Sequence, residues 1–151
     1  MDRKRPAEAA RELELAAALA PKDAAPWMAL GAARRTTGDL PGAIAAYQNA
    51  TRSDPRRFDA WFDLATAQHD LGHDAEALES LRQARERPAK LEPIEMADWH
   101  YGMGTVLLAM AGQEQAAATH LREALALNPD ADQAAEVREV LKSLGDAPRK
   151  P

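Results

Sequence analysis

His69 and His73 stand four residues apart, a spacing that puts two imidazoles on one helix face and could seat a metal ion. Gly72 lies between them and should end that helix. No glutamate follows in the pattern that zinc hydrolases use for a general base. His100 and His120 read as isolated helix residues, on the surface or half-buried. Gly102-x-Gly104 has neither the preceding strand nor the third glycine of a phosphate-cradling loop. Arg52, Arg56, Arg57, Arg85, Arg87 and Lys90 could gather along one edge as an anion site, but a screened surface is the favoured reading. Cysteine is absent, which removes thiolate chemistry and a disulfide framework. No constellation for catalysis, cofactor or metal emerges, and the chain reads as a non-enzyme.

The elements that must position any site are helices. Hydrophobic residues make up 46% of the 151, about half of them alanine, a helix former that packs closely. No stretch alternates β-branched and aromatic residues as a strand would. A net charge of -5 argues against a nucleic-acid face. No apolar run approaches a membrane span. Arg11, Glu12 and Glu14 interrupt any signal-peptide core behind the basic start, so a cytoplasmic location is expected.

A period of thirty-four residues organises the chain. Trp27, Leu30, Gly31, Gly38, Ala43, Tyr47, Ala50 and Pro55 are followed, one period on, by Trp61, Leu64, Ala65, Gly72, Ala77, Leu81 and Ala84; Pro88 falls one residue early. Small residues (Gly31, Ala43, Ala65, Ala77) suit a close approach of two helix backbones. Gly38 and Gly72 suit left-handed helix ends, and Pro55 a break between helix pairs.

This pattern of W-x2-L-G, small residues and a closing proline resembles the tetratricopeptide repeat. The resemblance implies an all-α fold, an α-α superhelix or solenoid of stacked antiparallel helix pairs. Helices are expected at 8–20, 24–37, 40–53, 58–71, 74–87, 93–111, 113–127 and 131–144. They group as one domain over 1–151. An N-terminal half-repeat spans 8–21, repeat 1 spans 24–57 and repeat 2 spans 58–88. An insertion at 89–97 breaks the period, and repeat 3 covers 98–130. A capping helix at 131–145 precedes a disordered tail, 146–151. In repeat 3, aligning Gly112 with Gly38 and Gly72 without a gap puts Tyr101 in the place of Trp27 and Thr105 in that of Gly31. The competing register equates Met103-Gly104 with Leu30-Gly31 and lengthens the turn by one residue.

In this family the first helix of each pair lines a concave groove that holds a partner segment. Carried over by register, the groove positions are Ala25, Met28, Ala32 and Arg35, then Asp59, Phe62, Asp63, Thr66 and His69, then Trp99, Gly102, Met103, Val106 and Met110. Met96, Trp99, Met103, Val106 and Met110 form one apolar stripe whose methionines suit varied side chains. Asp59, Asp63 and Asp70 beside it favour basic residues in the partner. The expected function is therefore a non-catalytic scaffold that binds a protein or peptide segment, apolar with basic residues. The alternative is an assembly or regulatory module of a larger enzyme or homo-oligomer, with self-association through the N-terminal half-repeat. Trp99 is expected as an aromatic anchor whose loss weakens binding by about 2 kcal/mol, whereas Trp27 and Trp61 are expected in the core.

One branch of the family clamps acidic chaperone tails with Lys, Asn and Arg, but the equivalent places here hold Met28, Ala32, Asp63, Trp99 and Met103. Asp63 would repel a carboxylate. Calorimetry with an acidic chaperone-tail peptide is expected to show no binding, and micromolar affinity would contradict the groove assignment.

Overall fold

The computed structural model describes residues 4–86 and 90–146. Among them are eight helices and no strand: α1 Lys4–Leu19, α2 Ala24–Thr36, α3 Leu40–Ser53, α4 Phe58–Asp70, α5 Asp74–Glu86, α6 Pro93–Ala109, α7 Glu114–Leu127 and α8 Ala134–Asp146. The chain divides into two compact units, 1–89 and 90–151. The division falls where the proline-bounded insertion interrupts the period. Arg87, Pro88 and the expected tail beyond Asp146 lie outside the described residues.

In the first unit each helix packs on the next, α1 through α5, and α2 also touches α4. The caps are written in the sequence. Asp23 and Asp39 accept from the backbone N–H of Ala25 and Gly42, at 2.9 and 3.0 Å, which satisfies helix-start donors. Helices α2 and α4 end alike. Asp39 N donates to Arg34 O at 2.9 Å and His73 N to Gln68 O at 2.8 Å. Gly38 and Gly72 take φ +84° in both turns, the left-handed residue this closure requires.

The core of this unit is small residues around one ring. Tyr47, Ala43, Leu64 and Ala67 form a cluster, with Met28, Ile44 and Trp61 packed against it. Gly31 makes the arrangement possible: a Cβ there would stand 2.6 Å from the Tyr47 ring. Trp27 and Trp61, expected in the core, are instead half-buried at its edge. The reason is the indole N–H, which needs an acceptor. Trp27 Nε1 donates to Pro21 O at 3.3 Å and Trp61 Nε1 to Pro55 O at 2.9 Å, so each tryptophan ties helix start to the proline six residues back.

In the second unit α6 packs on α7 and α7 on α8. Pro93 opens α6 in its first turn, and Glu92 N donates to Glu95 Oε2 at 2.8 Å in a capping box. Here the gap-free register of repeat 3 is overturned. Gly104, not Thr105, meets the second helix: a Cβ on it would lie 2.6 Å from Leu121, and Leu121 stands where Tyr47 stands in repeat 1. The extra residue sits in the turn. Met110 leaves the helix with ψ 121°, Gln113 N donates to Met110 O at 3.2 Å, and Gly112 has φ +79°. That is a type II β-turn in place of the closure used after α2 and α4. Helix α8 starts at Ala134 instead of 131, because Ala131 N and Ala134 N are taken by turn bonds to Asn128 O and Ala131 O.

Gly31→Ala and Gly104→Ala are each expected to cost roughly 1–3 kcal/mol of stability through overpacking, read as lowered urea midpoints. Thr105→Ala, at the position displaced by the observed register, should shift the midpoint far less than Gly104→Ala.

Candidate functional site

The groove positions of the first unit fall into two groups. The first is spent on internal contacts. Met28 packs against the Tyr47 cluster and a second cluster of Ala24, Ala50 and Ala60. Phe62 stacks on Phe58 with ring centroids 5.5 Å apart. Thr66 Oγ1 donates to Phe62 O at 2.9 Å. His69 donates from Nδ1 to Asp74 Oδ1 at 2.6 Å, clasping α4 to α5. Asp59 accepts both Nε and Nη2 of Arg57, at 2.7 and 2.9 Å.

The second group is Arg35 and Asp63, which α2 and α4 bring to one open cleft of about 530 Å³. Ala32, Thr36, Leu40, Tyr47 and Asp70 also line it. Arg35 Nε pairs with Asp70 Oδ2 at 2.7 Å. Asp63 is half-buried, and no cation among the described residues stands within ion-pair distance of it. Burial and the nearby Asp59 carboxylate push its pKa up, against an opposing pull from Arg35 and Arg57. Burial, then the charge of Asp63, pushes the Tyr47 hydroxyl up to about 12. Tyr47 is thus both core filler and cleft wall. The sequence pattern marked only the first role, because a repeat position says where a ring packs and not what its hydroxyl faces.

A second cleft of this unit, about 490 Å³, lies beside Pro21, Trp27, Asn49, Arg52 and Ser53. Lys22 lines it as well, and several of its other polar groups are bonded to one another. Pro21 O accepts from Trp27 and from Ser53 Oγ at 3.0 Å, and Arg52 Nη1 donates to Asn49 Oδ1 at 2.9 Å. Arg34, in the last turn of α2, donates to Gly42 O at 3.1 Å and pairs with Glu14 of α1.

In the second unit Val106 is fully in the core, at 2% exposure. Met103 and Met110 are half-buried, with Met110 capping α6. Trp99 sets its ring edge-on to His100 and His120, at centroid distances of 4.9 and 5.4 Å. The two histidines, unrelated in sequence, meet through their Nδ1 atoms at 3.1 Å. Burial lowers the pKa of His120, opposed by Glu123. Burial raises that of Asp98, with Glu95 adding to it. Among the described residues no group of three or more His, Cys, Asp or Glu could hold a metal ion, and no helix is long and apolar enough to cross a membrane.

Antiparallel helix pairs closed by left-handed glycines, with an open cleft beside α2 and α4, make the first unit a helical repeat. Residues 28–90 match the family model of the tetratricopeptide repeat, and that stretch is a tetratricopeptide-repeat region. Among solved structures the fold is shared with MamA. One crystal structure of MamA aligns with TM-score 0.71 at 17% identity, over 91% of this chain and 85% of that one. A second aligns with TM-score 0.64 at 30% identity, over 82% of this chain and 64% of that one. MamA 41-end from Desulfovibrio magneticus RS-1 aligns with TM-score 0.72 at 19% identity, over 93% and 84%. Comparison with the curated proteins gives no match.

Asp63 has a folded-state pKa above that of the unfolded chain. Its contribution is therefore most favourable below the unfolded value of about 3.9 and is lost as pH rises through the folded value. Ionised Asp63 destabilises the free protein at neutral pH. Asp63→Asn should raise the urea midpoint at pH 7, and the gain should shrink on acidification and vanish below about pH 4. A midpoint lowered at neutral pH would show that the carboxylate is stabilised by a partner instead.

Proposed function

We propose that this protein is a scaffold that captures a partner segment by a basic side chain, seated in the α2–α4 cleft with its charge on Asp63. The observation that carries the reading is the half-buried Asp63 carboxylate, which has no cationic partner among the described residues and lines an open cleft. A Lys or Arg of the partner would return the interaction that burial removes. Apolar neighbours of that side chain would lie against Ala32 and Leu40. Arg35 is paired with Asp70 across the cleft and acts on Asp63 only at longer range, which leaves Asp63 without an ion-pair partner of its own among the described residues. The repeat match and the fold shared with MamA support an interaction role of this general kind. In the second unit Trp99 and Met103 of α6, with Met110 at its C-cap, would offer apolar surface for the same kind of segment.

Fluorescence anisotropy with a short labelled peptide of Leu alternating with Lys and Arg is expected to show saturable binding that weakens with salt. Asp63→Asn should weaken it about tenfold, or about 1.4 kcal/mol, although the same substitution stabilises the free protein. Equal affinity for the variant, or for a peptide with Glu in place of Lys and Arg, would reject the cleft.

A further inference from the structure

The most unusual side-chain cluster outside the cleft is the meeting of His100 on α6 with His120 on α7. Their rings are tilted by 43° and their Nδ1 atoms are 3.1 Å apart. Without a third party, one Nδ1–H donates to the lone pair of the other, which forces the two rings into different tautomers. A divalent ion bound by both would replace that bond with two metal–nitrogen bonds, each ring then offering Nδ1 as a lone pair and keeping its proton on Nε2.

The spacing suits this. Metal–nitrogen bonds of about 2.0–2.1 Å to two atoms 3.1 Å apart subtend an angle of roughly 100°, between the square-planar and tetrahedral values. Imidazole pairs favour late first-row ions, with Cu²⁺ bound ahead of Ni²⁺ and Zn²⁺. We propose that His100 and His120 form a two-ligand site for a late first-row divalent cation, Cu²⁺ foremost, that cross-links α6 to α7. Water completes the coordination, because no third protein ligand joins the pair among the described residues.

The site exists only in the folded chain: twenty residues separate the two ligands, and they come from different helices. Binding to the folded state alone stabilises it in proportion to occupancy. Trp99 is a built-in reporter, because its ring touches both imidazoles.

The test is a titration of the full chain with CuSO₄ and, separately, ZnCl₂ at pH 7.5. Tryptophan emission is followed in a Trp27→Phe/Trp61→Phe background, with urea midpoints measured in parallel. The expected result is saturable quenching of Trp99 by Cu²⁺ at one ion per chain, and a raised midpoint with either ion. His120→Gln and His100→Gln, each checked by circular dichroism for retained helix, should weaken Cu²⁺ binding about tenfold or more and abolish the rise in midpoint. Should Trp99 quench equally in the two variants, the ion is bound elsewhere and the proposal fails. It fails also if wild type shows no saturable quenching and no rise in midpoint. If a variant has lost helix, the wild-type stoichiometry and the competition of Zn²⁺ against Cu²⁺ quenching decide: lack of competition overturns the shared site.

Discussion

Everything in the first unit depends on how closely α2 can approach α3, and that is set where Gly31 faces the Tyr47 ring. A helix pair separated by one more methyl group would push Tyr47 out of the cluster it shares with Ala43, Leu64 and Ala67. Because Tyr47 also forms a wall of the cleft, the same approach fixes the distance between the core and the surface on which Arg35 and Asp63 are mounted. In the second unit Gly104 and Leu121 repeat the arrangement with an aliphatic side chain. Repeat 2 carries Ala65 and Leu81 at the corresponding positions, both buried, so the small residue and its bulky partner vary together from one repeat to the next.

The architecture was largely legible because its rules are local and repeated. Left-handed glycines and a proline between helix pairs each act within a few residues, so spacing alone placed seven of the helix starts within three residues of those observed. Repeat 3 was misread in one register step, since Gly112 keeps its backbone conformation while closing a different turn. An unbroken alignment of glycines could not distinguish a helix-ending closure from a β-turn. The site was less legible. Register gave the face that Arg35 and Asp63 occupy, but not that Arg57 would take Asp59 or that Asp74 would take His69. Those pairings depend on rotamers and neighbouring helices. The meeting of His100 and His120 was invisible for the same reason.

Asp63 shows why a scaffold can keep a residue that does not help it fold. A carboxylate drawn halfway into the protein beside another acid opposes its own ionisation. A protein selected only for stability would carry an amide or an apolar group there. Strain of this kind is concentrated where an outside chain could relieve it.

The two indole bonds have a consequence of their own. Each joins a tryptophan to the carbonyl oxygen of the proline that closes the preceding helix, in one case Pro21 and in the other Pro55. The acceptor is main chain, so it is offered whatever side chains the upstream helix carries. Neighbouring repeats in this unit are thus joined by a coupling indifferent to sequence, like standard threads on pipes of different bore. A segment of thirty-four residues could be duplicated, deleted or exchanged by recombination and still find its joint waiting. The side chains facing the cleft are left free to diverge from one copy to the next.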